Sequence, residues 1–227
     1  MSTTSTSPTG VDQTRTERCD PATAATRSLL GYGVIAGPLY VAVSLAQALT
    51  RDGFDLSRHA WSLLSNGSLG WIQIVNFVLC GAMTVVFAVG LRRALPGERW
   101  VPRLVGVYGA SLVAAGAFRA DPALGFPTGT PADARDVSWH GIAHFAFAGV
   151  GFLCLIVACL LLARRFSADG QRGWAVFTRA TGIVFLAAFV GIASGAGSVA
   201  TTLGFVAAVI LMCGWMSATS VRLYRAA

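Results

Sequence analysis

Six apolar stretches, each close to the length that crosses the hydrocarbon core of a bilayer, limit what this chain can fold into. They run roughly from Leu29 to Leu49, Ile72 to Leu91, Leu104 to Phe118, His140 to Ala163, Ala175 to Ala193 and Val199 to Met216. Lipid offers no partner to a backbone N–H or C=O, so a spanning segment must satisfy its own polar groups as a helix or within a closed barrel. The runs lack the period-two alternation of barrel strands. They therefore predict an all-α fold, an integral membrane bundle of six transmembrane helices. The third run is short unless Val101 and Pro102 open it, since proline is tolerated in a first helical turn. The fifth carries Arg179, which must snorkel from the first turn. Composition agrees: 55% of the 227 residues are hydrophobic and 12% charged, against about a quarter charged in a soluble domain.

Every basic residue other than histidine is arginine, and the arginines punctuate the apolar runs instead of clustering on one polar surface. The net charge of +7 thus gives no footprint for nucleic acid; the partner implied is membrane lipid, with a small-molecule or lipid ligand. With the N-terminus inside, the inner segments hold Arg15, Arg18, Arg27, Arg92, Arg93, Arg99, Arg103, Arg164, Arg165, Arg172, Arg179, Arg222 and Arg225. Only Arg51, Arg58, Arg119 and Arg135 fall outside. The positive-inside rule then places both termini in the cytoplasm and the loops after the first, third and fifth helices outside.

Residues 1–28 are rich in Ser and Thr without an apolar run, which predicts a disordered cytoplasmic tail. This stretch is also longer than the polar start of a usual signal peptide. The transmembrane domain is expected over 29–220 and a cytoplasmic C-terminal tail over 221–227. Cys80, Cys154, Cys159 and Cys213 fall inside predicted helices and Cys19 in the tail, a pattern with no disulfide framework and no paired metal spacing. Asn66-Gly67-Ser68 matches a glycosylation acceptor, relevant only in a eukaryotic secretory pathway. No phosphate-binding loop, dinucleotide turn or nucleophile elbow follows a strand.

The polar residues of interest gather on the outer side. The two longest connections, near Leu49 to Trp71 and Arg119 to Trp139, are long enough to expect a function. The chain's three histidines are His59 in the first of these loops, and His140 and His144 where the fourth helix begins. Histidines four apart on a helix share one face, with Cβ atoms about 5 to 6 Å apart, so both imidazoles can reach one metal ion. His59, His140 and His144 are therefore candidate ligands of a zinc ion, with Asp121 or water as the fourth. Such an ion lowers the pKa of bound water, which Asp121 or Ser62 would help to activate or orient. Arg58 and Arg119, at headgroup level, are candidate substrate-binding residues, placed to hold a lipid phosphate or Asp121 by bidentate contacts. This inventory suggests a metal-dependent hydrolase acting on a lipid or amide at the outer leaflet. In residue types alone it is similar to that of the intramembrane ceramidase-type hydrolases.

The alternative is a non-catalytic transporter, lipid-binding or pH-sensing protein whose histidines bind a ligand or are structural. Histidine and tryptophan are natural interfacial residues, and Trp61, Trp71 and Trp139 sit where an aromatic belt belongs. His144 differs, because an ionisable group about one turn into a spanning helix normally faces a bundle interior or cavity. Gln73 and Asn76, three apart at the start of the second helix, read as amides that bond between helices.

Three segments carry a resemblance: "SRHAWSLLSNGSLGWIQIVNFVLCG" (Ser57 to Gly81), "GAFRADPALGFPTGTP" (Gly116 to Pro131) and "SWHGIAHFAFAGVGF" (Ser138 to Phe152). Their spaced elements RHxxS, GWxQxxNF, DPxxGxPxGTP and HGxxH resemble the uncharacterised bacterial multi-pass family known as domain of unknown function 998, over roughly residues 28 to 220. The resemblance implies a multi-pass helical fold in a bacterial cytoplasmic membrane, and no activity.

Overall fold

The computed structural model describes residues 20–134, 136–195 and 197–227. Among them the regular elements are six α-helices: α1 (Pro21–Thr50), α2 (Gly70–Ala94), α3 (Trp100–Ala117), α4 (Trp139–Ala168), α5 (Arg172–Ala193) and α6 (Val199–Ala226). A short 3₁₀-helix, Trp61–Ser65, lies in the α1–α2 loop. Each helix packs on its neighbour in the chain and α6 returns to α1, so the six close a ring in sequence order. At Gly81 and Gly109 α2 and α3 meet backbone to backbone: a Cβ on Gly81 would lie 2.6 Å from the Gly109 carbonyl, and one on Gly109 would lie 2.8 Å from that of Gly81.

The polarity of the ring is that of a protein dissolved in lipid. Val75, Leu79, Val89, Val150, Leu153 and Val190 are exposed on its outer faces, while Gln47, Gln73, Asn76, His144, Thr178 and Ser220 are buried within. α1, α2, α4, α5 and α6 are long and apolar enough to cross a membrane, and the molecule is a multi-pass membrane protein. α3 is not among these five. It is the shortest of the helices at 18 residues, and it places Pro102 and Arg103 in its first turn.

The helices outrun the apolar stretches at several ends. α1 starts at Pro21, inside the segment the sequence assigns to the disordered tail, because Asp20 accepts the Ala22 N–H at 3.3 Å and proline suits the first turn. Residues 1–19 lie outside the described residues. At the other end α6 runs through Ala226 and so takes in 221–226 of the segment the sequence assigns to the C-terminal tail. Glu98 accepts the N–H groups of Trp100 and Val101 at 2.9 and 3.3 Å and so starts α3. Ser138 caps α4 and Ser198 caps α6, each through its hydroxyl oxygen.

The α1–α2 and α3–α4 loops fold onto each other at one end of the ring. Trp61, Leu63 and Leu64 of the first join Ala120 and Phe126 of the second in one apolar cluster. The Asn66 side-chain amide donates to the Ala120 carbonyl at 2.9 Å. Arg51 donates to the carbonyls of Leu64 and Asn66, both at 2.5 Å, while its guanidinium lies 4.9 Å from the Phe126 ring centre. Asn66, buried and bonded in this way, is no glycosylation acceptor in this fold.

Candidate functional site

His59 stands at the seam of the two loops and is buried. Its Nδ1 accepts the Asp55 N–H at 2.9 Å, and its Nε2 lies 3.0 Å from the Leu124 carbonyl. A carbonyl only accepts, so the proton is on Nε2 and the lone pair on Nδ1 is already taken. The rings of Phe54 and Phe126 pack against the imidazole. His59 therefore fastens the first loop to the second with both nitrogens.

Asp121 is equally committed. One carboxylate oxygen accepts the Ser138 N–H at 2.8 Å and the other the Ser138 hydroxyl at 2.5 Å. The carboxylate sits so close to α4 that a Cβ on Gly141 would lie 2.0 Å from it. A negative charge at a helix N-terminus is stabilising there. Asp121 thus ties the end of α3 to the start of α4.

The two histidines of the HxxxH pair part company. His140 is exposed, its ring against Trp139 and Phe118. His144, one turn deeper, is buried, and its Nδ1 lies 3.1 Å from the Ala115 carbonyl and 2.8 Å from that of Phe118. Both partners are acceptors, so Nδ1 carries the proton. The imidazole thereby satisfies two of the carbonyls that the C-terminus of α3 leaves without helical partners. Nε2 keeps its lone pair.

A zinc ligand must offer an unshared lone pair. His59 has none left and His144 has one. Among the described residues no group of three or more His, Cys, Asp or Glu could hold a metal ion. The expected convergence of His59, Asp121, His140 and His144 on zinc is thus not supported: both nitrogens of His59 hold loop backbone and both oxygens of Asp121 hold Ser138. The residues present do not fit the ion. Arg58 and Arg119 are exposed on the α1–α2 and α3–α4 loops.

What the ring encloses is a cavity of about 140 Å³ beneath the paired loops. All six helices contribute to its wall, and the 3₁₀-helix supplies Trp61 and Ser62. His144, Tyr40, Tyr108 and Ser111 are its other polar lining groups apart from Cys213, and aromatic and aliphatic side chains make up the rest. Phe152, Phe185 and Phe205 pack edge to face or tilted against one another as one wall. Phe145 lines the cavity and is also exposed on the outer surface of α4, so the wall is thin toward lipid at that edge. The Trp61 indole N–H is buried without a hydrogen-bond partner. An apolar chamber with a few polar groups is the usual form of a small-molecule site.

Two features were missed at the level of sequence. Arg51, counted there only for topology, is the cation that holds the 3₁₀-helix closed. Tyr40, Tyr108 and Ser111 gave no signal beyond lying in apolar runs. Gln73 and Asn76 do bond between helices: Gln73 Oε1 accepts from the Gln47 side chain at 2.8 Å, and Asn76 donates to the Tyr40 carbonyl at 3.2 Å.

Residues 34–222 match the model of a family described as protein of unknown function, DUF998. Neither the curated proteins nor the solved structures gave a match.

Proposed function

The chain belongs to the DUF998 family, and on that premise we propose that it is a six-span protein of a bacterial cytoplasmic membrane, with both termini in the cytoplasm, that holds a lipid-like amphipathic ligand in the cavity under its outer loops. The observation that carries the binding role is His144: buried in the cavity wall, with Nδ1 committed to two backbone carbonyls and Nε2 left to accept. Support for six spans comes from the place of α3 in the ring between α2 and α4. Its 18 residues reach about 27 Å at 1.5 Å each, just short of a hydrocarbon core of about 30 Å. The orientation rests on the thirteen-to-four division of arginines.

Photo-crosslinking tests the binding role. A dodecyl chain bearing a diazirine, added to detergent-purified protein, is expected to label Tyr108, Phe152 or Phe205. Adducts confined to outward residues such as Val75, Val89 and Leu153 would refute it. A second reading, acyl transfer, has one observation in its favour: Ser62 and His144 line the same cavity. Labelling by a fluorophosphonate that disappears in Ser62→Ala supports it, and no labelling by a probe shown to enter the cavity removes it.

A further inference from the structure

The cavity also selects the chemistry of what enters it. Among the described residues its lining contains no aspartate, glutamate, lysine or arginine, and His144 is the one imidazole. An ionised headgroup placed there would lose its hydration without gaining an opposite charge, which is strongly unfavourable. The ligand's polar end must therefore be neutral. Because Nδ1 of His144 donates to the carbonyls of Ala115 and Phe118, the atom left for a ligand is an acceptor. An ester or ketone, which only accepts, cannot bond to it; a hydroxyl can. Tyr108 and Ser111 add hydroxyl groups to the same wall, each able to donate to the ligand's own oxygen. The remaining lining, from Phe152, Phe185 and Phe205 to Val209, is suited to an alkyl chain.

We infer that the ligand is a neutral, single-chain amphipath ending in a hydroxyl, a long-chain alcohol in chemical class, whose O–H donates to Nε2 of His144. This inference rests on the proposed binding role and adds the identity of the polar end. The test compares dodecanol, dodecane and ionised laurate as competitors of a fluorescent dodecyl probe on the full chain in detergent. Dodecanol is expected to compete about tenfold better than dodecane, the equivalent of about 1.4 kcal/mol, and laurate to compete less well than dodecanol. In His144→Phe the preference for alcohol over alkane should vanish. Should that variant fail to fold, wild-type protein labelled with nitrogen-15 histidine gives a second readout: the unprotonated nitrogen of His144 should shift on adding dodecanol and stay put with dodecane. Equal competition by dodecane and dodecanol, or an unmoved His144 resonance with dodecanol bound, overturns the inference while leaving the binding role standing. If no chain competes at all, the binding role itself falls and takes the inference with it.

Discussion

Replacing Asp121 by Asn separates a carboxylate that holds the fold from one that serves a ligand. At present its two oxygens accept the Ser138 N–H at 2.8 Å and the Ser138 hydroxyl at 2.5 Å, and Ser138 in turn accepts the Gly141 N–H at 3.2 Å. Asparagine keeps one acceptor for the Ser138 N–H and turns an NH2 toward the Ser138 hydroxyl, which must then accept instead of donating to a carboxylate. One bond to a charged group is lost, about 1.5–3 kcal/mol, along with about 0.3–1 kcal/mol of favourable interaction with the N-terminus of α4. Asp121 is only half-buried, so screening by water places the expected loss near the lower end, about 2 kcal/mol. At about 2–4 °C per kcal/mol for a chain of this size, the melting temperature in detergent should fall by roughly 4–8 °C. Gly141→Ala should act on the same contact from the other side, since its Cβ would lie 2.0 Å from the carboxylate. The double variant should then lose less than the sum of the two singles, as expected for residues that share a contact. Strictly additive losses, or an unchanged melting temperature together with lost probe binding, would refute the assignment of Asp121 to the helix junction.

Arg51→Lys keeps the charge but not the fork that spans two carbonyls; about 1–3 kcal/mol of stability should be lost, with protease cleavage appearing in the α1–α2 loop before any other site. Retained melting and no new cleavage would contradict it. Cysteines introduced at the exposed positions Ser68 and Ala132 should react with an impermeant maleimide on intact cells, and reaction only after rupture would invert the proposed orientation. Asp55 is held below the usual carboxylate range by the hydroxyl of Ser57, then by the Ser57 N–H. A depressed folded pKa means its contribution is present above the ordinary value near 4 and is lost as pH falls through the lower one. Wild-type melting should therefore decline below about pH 4 more than that of Asp55→Asn, and parallel declines would speak against the role.

Much of the fold was legible because a hydrocarbon solvent leaves a plain mark: Ile72 to Leu91 and Ala175 to Ala193 each lie inside a single observed helix. The ends were less so. Hydropathy reports where lipid is, whereas the helix follows its own hydrogen bonds, so α4 continues from Ala163 to Ala168 and α1 begins at an Asp20 cap whose signal is a single residue. The site divided differently. His144 stood out because an imidazole at that depth is costly unless paired, and it is paired. His59 and Asp121 are of the same residue types as metal ligands, but their actual partners are backbone atoms of Asp55, Leu124 and Ser138 and the Ser138 hydroxyl. A sequence carries every main-chain N–H and C=O without distinction, so nothing in its letters separates a histidine that binds an ion from one that bridges two loops.

His144 owes its tautomer to main-chain atoms as well. The ring's proton is assigned by the carbonyls of Ala115 and Phe118, atoms that every residue possesses. Exchanging those two side chains, provided α3 keeps its last turn, leaves the imidazole's donor and acceptor ends where they are. The cavity's hydrogen-bonding preference is therefore carried by the path of the chain, and it can persist through drift at the very positions that set it.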